Sequence, residues 1–249
     1  MSGAERAWLH RGGAAAAWGN LGLWPAADYA SACAALADAV ALAAPLMPGQ
    51  RVLSVGCGAG EELSRWCLVY GAAAVVGIEY DAALAAEARA RPGVAGVFES
   101  LAALPTASAP FDAVLCVDAA YHFSPRAAWL RALRLRLRPG GVLAFTDLVL
   151  AHGETPSFGL AWAARLCGLS MREVVDVRTA QARLVAAGFE PTVAARLDET
   201  VLDGFARFAS SRAAGAGSLR PRLTAALIGP ARRRGLGCAL FVARHDRGP

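Results

Sequence analysis

The 249-residue sequence contains no lysine; all 25 of its basic residues are arginine. Arginine codons are GC-rich, so this absence reads as a codon bias more than as a binding surface. A long apolar run is missing too. The longest uncharged stretch, Gly12 to Ala27, carries four glycines and Pro25. It falls short of the roughly 18–20 apolar residues that span a bilayer. The mean hydropathy of +0.39 comes from alanine, about a quarter of the chain, which is a helix former rather than a lipid anchor. The N-terminal MSGAERAWLHR has charges at Glu5, Arg6 and Arg11 and no apolar core, so it does not read as a secretion signal. Six cysteines form no Cys-x-x-Cys and no Cys/His cluster. That leaves no zinc site or disulfide framework to propose, and points to reduced thiols in a cytoplasmic protein.

Charge is scarce at 18%, against 56% hydrophobic residues, which excludes a disordered chain and implies a core that needs no staples. The net charge of +5 is uneven: from Arg207 onward nine arginines stand against one acid, Asp246. Neither aromatic–basic interleaving nor an RNA-binding signature accompanies them, so nucleic acid is not expected as a partner. A small-molecule substrate is, for a monomer or homodimer.

Strands alternate with helices, the pattern of a parallel sheet covered on both faces. An alanine-rich helix is expected over Asp28–Ala44, opened by Asp28 and stopped by Pro45 and Pro48. Strands are expected at Arg51–Val55, Ala74–Ile78, Val94–Phe98, Phe111–Val117, Val142–Asp147 and Gly235–Ala243, with another entering at Gly188-Phe189. Helices are expected at Glu61–Tyr70, Asp81–Arg91, from Ser124-Pro125 to Pro139-Gly140-Gly141, at Thr179–Ala187 and near Val201–Ala216. Residues 150–175 read as a loop plus an amphipathic helix carrying Trp162, Leu166 and Met171. No internal repeat is present. One domain is expected: residues 1–48 as an N-terminal helical lid, 50–148 as the binding core, and 150–175 with about 200–230 as a cap over the substrate.

The central signal is Val52-Leu-Ser-Val-Gly-Cys-Gly-Ala-Gly60-Glu-Glu-Leu. A strand runs into three glycines at alternating positions, and a helix follows. Glycines allow the tight turn and let backbone approach a ligand. The spacing is Gly-x-Gly-x-Gly, not the Gly-x-Gly-x-x-Gly of dinucleotide folds, which disfavours a nicotinamide enzyme. Nineteen residues after Gly60, Glu79 ends the next strand, where a carboxylate can accept both ribose hydroxyls of an adenosine ligand.

With VVGIEYD, FDAVLCVDAAYHF, LRPGGVLAFTD and LVAAGFEP added, the sequence resembles the class I S-adenosylmethionine-dependent methyltransferases over residues 50 to 195. It looks most like small-molecule members: antibiotic-sugar O-methyltransferases and tocopherol or quinone C-methyltransferases. The resemblance implies a Rossmann-like α/β fold with a seven-stranded sheet of order 3-2-1-4-5-7-6, helices on both faces and a small inserted helical cap. It implies S-adenosylmethionine as cofactor, giving S-adenosylhomocysteine. The cofactor would contact Ser54, Gly56, Cys57, Gly58, Gly60, Glu79, Tyr80, Ser100, Leu101 and Val117, with the glycine turn at the methionine part, Glu79 at the ribose and Tyr80 beside the adenine. Two positions depart from the family: Ser54 replaces the usual Asp or Glu, and Ser100 the usual Asp. Glu61, Glu62 or Glu99 stand near enough in sequence to compensate. Asn20-Leu-Gly-Leu-Trp24, followed by Asp28-Tyr29, resembles the family segment that closes over the cofactor.

Of four histidines only His122, in Asp118-Ala-Ala-Tyr-His-Phe123, falls where the transfer site belongs. O-methylation needs a base, and imidazole titrates in the right range. In the resembling sugar O-methyltransferases a His and an Asp at the places of His122 and Asp147 form that base, the carboxylate orienting the imidazole. Trp24, Tyr121, Phe123 and Trp162 are the candidate substrate contacts. No metal is expected, because Asp118 and Asp147 are not joined by a run of acids at ligand spacing. The implied activity is methyl transfer to a small molecule in specialised metabolism, with oxygen the favoured acceptor. The rivals are carbon methylation of a prenyl or quinol-type substrate and a non-catalytic S-adenosylmethionine-binding protein.

Overall fold

The computed structural model describes residues 3–10, 17–105, 109–166 and 171–246. Arg11, Cys167 and part of the Gly12–Ala27 stretch lie outside them, as does the side chain of Leu166. Eight strands form one sheet: β1 (Arg51–Val55), β2 (Ala74–Ile78), β3 (Val94–Phe98), β4 (Phe111–Cys116), β5 (Leu137–Leu150), β6 (Val175–Asp176), β7 (Phe189–Arg196) and β8 (Gly237–His245). Their order is β3-β2-β1-β4-β5-β8-β7, with the two-residue β6 beside the end of β5. This is the expected order with one strand more, since β6 shifts the numbers of the last two. β1 through β5 are parallel neighbours, and β8 runs antiparallel between β5 and β7.

Side chains alternate between two cores, as the strand period of two requires. Ala113 and Leu115 of β4 join one hydrophobic cluster, Val114 and Cys116 the other. The first cluster lies under α2 (Tyr29–Ala43) and α3 (Glu61–Leu68), the second under α5 (Arg126–Arg136) and α7 (Val177–Ala186). Burial on both faces explains why these strands read as apolar runs rather than alternating ones. α2 starts where Asp28 accepts a hydrogen bond from the Ser31 N–H at 2.7 Å. It buries Ala32, Cys33, Leu36, Ala37, Val40 and Ala41, a stripe of helical period. α4 (Ala82–Arg89) is capped by Asp81 in the same way.

Three segments differ from expectation. The fifth strand runs eight residues beyond Val142–Asp147, because β8 pairs with it from Val142↔Arg244 to Val149↔Gly237 and Leu137 already pairs with Phe111. α5 therefore ends at Arg136, ahead of Pro139-Gly140-Gly141. The single helix expected near Val201–Ala216 is a π-helical turn at Asp198–Asp203 followed by α8 (Gly204–Ser211). A 15-residue helix, α9 (Leu219–Arg233), was not foreseen at all. Its two prolines hide it: Pro221 falls in the first turn, where a missing N–H costs nothing, and Pro230 in the last. α1 (Gly3–Leu9) and α6 (Phe158–Leu166) complete the helices. Among the described residues no helix is long and apolar enough to cross a membrane.

Candidate active site

The order of the sheet reverses between β1 and β4, and in such sheets ligands bind outside the carboxyl ends of the strands at that point. The loop after β1 is built for close approach. Gly56, Gly58 and Gly60 have φ of +78°, +53° and +80°. A Cβ on Gly56 would lie 2.6 Å from the Ala119 Cβ, whereas one on Gly58 would meet nothing within 4 Å. Gly56 is thus demanded by packing and Gly58 by its left-handed backbone on the open side. Glu79, buried, ties the loop down: one carboxylate oxygen accepts the Gly58 N–H and the other the Asp81 N–H, both at 2.9 Å. Sequence reasoning placed Glu79 at a ribose but missed this second task.

A cleft of ≈ 460 Å³ opens over the loop. Its lining includes Gly56, Cys57, Gly58, Gly60, Glu79, Tyr80, Ser100, Leu101, Val117, His122 and Phe123. Tyr80 stands at the rim, 82% exposed. Ser54 is buried behind the wall, where its hydroxyl donates to Glu62 at 3.4 Å. Glu62, buried itself, borders the cleft, and burial pushes its carboxyl up to about 8. Glu61 is engaged with Arg91 at 2.7 Å. Trp18, Gly19 and Asn20 close the cleft from the N-terminal side. That segment is pinned at Leu21, whose N–H donates to Asp118 at 2.7 Å, and at Trp24, whose backbone N–H donates to the Thr200 carbonyl at 2.8 Å.

A smaller cavity of ≈ 250 Å³ shares Gly19, Asp118 and His122 with the cleft. Asp118 has φ +52°, a left-handed conformation that Asp tolerates better than most residues. Its N–H donates to the Thr146 hydroxyl at 2.7 Å, and its carboxylate accepts the Tyr121 hydroxyl at 3.0 Å. Burial raises the carboxyl to about 7, against the pull of these donors. His122 closes the short 3-10 turn Ala120–His122 and packs against Tyr121. Burial lowers its pKa, and the charge of Arg220 lowers it further.

The expected pairing of His122 with Asp147 is not formed. Asp147 is buried under α5, in an ion pair with Arg126 at 2.8 Å, and its other oxygen accepts the Leu148 N–H at 2.9 Å. It borders neither cavity. The candidate substrate contacts also divide. Tyr121 lines the smaller cavity and Phe123 the cleft, where it stacks on Trp129. Trp24 lines neither; it stacks on Phe208 and faces a separate open groove. Trp162, on α6, is 58% exposed rather than packed in a cap. Among the described residues no group of three His, Cys, Asp or Glu is placed to hold a metal ion.

A family model described as a methyltransferase domain matches residues 28–193. The 27-O-demethylrifamycin SV methyltransferase of Amycolatopsis mediterranei is 33% identical over 186 residues, covering 70% of this chain and 68% of that protein. Erythromycin 3''-O-methyltransferase of Saccharopolyspora erythraea is 32% identical over 139 residues, 52% of this chain and 45% of that one. Among solved structures, a putative sarcosine dimethylglycine methyltransferase from Galdieria sulphuraria superposes with a TM-score of 0.75 at 15% identity, covering 92% and 93% of the two chains. Geranyl diphosphate methyltransferase does so at 0.72 and 16%, covering 86% of each. At these identities the structures show the fold.

The Arg126–Asp147 pair generates a test. Asp147→Asn leaves a buried guanidinium without its counter-charge, a loss of about 3–5 kcal/mol. Urea denaturation should show that loss, and an unchanged midpoint would mean that the pair is not what holds α5 to β5.

Proposed function

The chain belongs to the S-adenosylmethionine-dependent methyltransferases, and we propose that it transfers the methyl group to a hydroxyl oxygen of a small molecule, with His122 as base. The observation that carries this reading is that one cleft over the glycine loop is lined by both Glu79 and His122. The bound cofactor supplies an electrophilic methyl on a sulfonium. The residues fit it: a carboxylate beside the loop with lone pairs to spare for ribose hydroxyls, an open face at Gly58, and a second buried carboxylate at Glu62. Glu62 stands in for the family acid that Ser54 lacks, taking the amino group of the methionine part. His122 receives the acceptor's proton while the cleft and its N-terminal roof hold the reacting atoms in line. Carbon methylation is the second reading, favoured by the carbon-rich walls of the smaller cavity.

Cofactor affinities test the first half of the reading by calorimetry. Gly58→Ala should weaken S-adenosylmethionine at least tenfold at a cost to the fold of only the left-handed backbone, about 1–2 kcal/mol, whereas Gly56→Ala adds a clash with Ala119 and should cost about 1–3 kcal/mol more. Glu79→Ala should also lose about tenfold or more. Glu62→Gln should weaken S-adenosylmethionine but not methylthioadenosine, which lacks the amino-acid part. Equal losses for both ligands would assign Glu62 to the fold alone.

His122→Ala tests the second half. For a hydroxyl acceptor kcat should fall about 10²–10⁴-fold with cofactor affinity unchanged. Full activity in that variant would move the reaction to carbon. Since His122 sits below its ordinary 6.5, the base form persists to lower pH, and kcat/KM should hold its plateau down to about 6.5 and fall only beneath it. An acid limb near 7 would instead follow Asp118, whose carboxyl lies at about 7.

A further inference from the structure

We propose that the ≈ 250 Å³ cavity is the acceptor site and that it takes a compact, largely apolar alcohol or phenol, no bigger than one substituted ring. The inference rests on the methyl-transfer reading and goes further by naming the substrate class. Three observations carry it. The cavity touches the cofactor cleft at Gly19, Asp118 and His122, so a molecule inside it meets the cleft only at that junction. Its walls are carbon: Leu21, Leu148, Leu202, Phe205 and Ile228, drawn from the N-terminal segment, β5, the π-helical turn, α8 and α9. Its volume lies below the roughly 300–1,000 Å³ of pockets for drug-sized ligands, so a macrolide or a glycoside of one does not enter whole.

The polar end of the cavity sets the functional group. Asp118 and His122 both offer acceptors there; of the hydroxyls on the wall, that of Tyr121 is donated to Asp118, that of Tyr29 to the Asn20 carbonyl, and Thr224 has a partner within the protein. An end built of a carboxylate and a neutral imidazole favours a hydroxyl, which can donate as well as accept, over a bare carbonyl or ether, which can use only the imidazole N–H and leaves the carboxylate facing an acceptor. Glu5 and Arg220 also meet the wall, but both have partners within the protein. In the transfer, the acceptor oxygen forms the new C–O bond as the C–S bond breaks. The bonding pair leaves with sulfur, giving neutral S-adenosylhomocysteine, and the hydroxyl proton passes to His122.

The test offers the whole enzyme 4-methylphenol, a methyl-substituted cyclohexanol and a macrolide glycoside, with methyl ethers and S-adenosylhomocysteine read by mass spectrometry. The compact probes should be methylated and the glycoside should not. Ile228→Trp fills the cavity without touching the cofactor cleft. It should lower kcat/KM for the compact probes at least about tenfold, with S-adenosylmethionine affinity unchanged. Leu202→Phe does the same by a smaller step, and its cofactor affinity reports whether the fold survives. Methylation of the glycoside with both variants at full rate would overturn the assignment, as would intact cofactor binding with no turnover of any compact hydroxyl. A compact probe methylated at carbon would leave the cavity in place and sink the hydroxyl reading alone.

Discussion

The Asp118 carboxylate is where three separate parts of the chain agree on a position. The chain leaves β4 and must turn at once, and it does so with Asp118 in a left-handed conformation that costs a non-glycine residue about 1–2 kcal/mol. The turn holds because the Asp118 N–H finds the Thr146 hydroxyl on β5, while the carboxylate gathers the Leu21 N–H from the N-terminal segment and the Tyr121 hydroxyl from the following turn. A buried carboxylate without donors would be expensive; with two it becomes a junction. Both cavities open at that junction, and His122 reaches it only because the 3-10 turn is set by this arrangement. The N-terminal roof and the turn that carries His122 therefore depend on one another through a single side chain.

Much of the sheet was legible because parallel strands leave local signatures. Arg51–Val55, Ala74–Ile78 and Val94–Phe98 are short apolar runs closed by helix-capping or glycine signals, and they begin and end where the sequence says. The misses share a physical cause. The length of β5 is decided by a partner almost a hundred residues away, β8, which no local window contains. The tolerance of Pro221 in α9 depends on its falling among the first N–H groups, which have no intrahelical partner. Periodicity does not carry that information.

The candidate site divides along the same line. Gly56, Gly58 and Glu79 were named because each follows directly on a strand end, where the backbone dictates where the residue points, and His122 because it lies on the turn after β4; all four line the cleft. Asp147 also ends up at such a place in sequence, yet its carboxylate turns to Arg126, a residue on the preceding helix whose burial no motif announces. Trp24 was named from the N-terminal segment that resembles the family's closing segment and Trp162 from the expected cap helix, and neither position distinguishes a stacked structural ring or an exposed one from a substrate wall. The residues that line the smaller cavity were missed because five elements contribute them. A signal for Asp118 did exist: it lies four residues before His122, on the turn that both cavities share.

The absence of lysine bears on how the helices around the sheet stay together. Arg6 grips Glu87 with two parallel bonds of 2.7 and 2.8 Å, tying α1 to α4. Arg65 holds Asp38 with two of 2.6 Å, tying α3 to α2. Arg232 bridges Asp198 and Asp203 and fixes α9 to the π-helical turn. Pairs this exposed contribute little energy each, but a planar fork on a carboxylate fixes orientation in a way an ammonium does not. α1, α9 and the π-helical turn all contribute to the smaller cavity, and none belongs to the sheet. The loop of the cleft is fixed by the Glu79 carboxylate at the end of β2, whereas the smaller cavity is walled largely by segments outside the sheet, of which the Arg232 fork holds two together. The walls of the smaller cavity can therefore change one residue at a time without disturbing the loop that Glu79 holds.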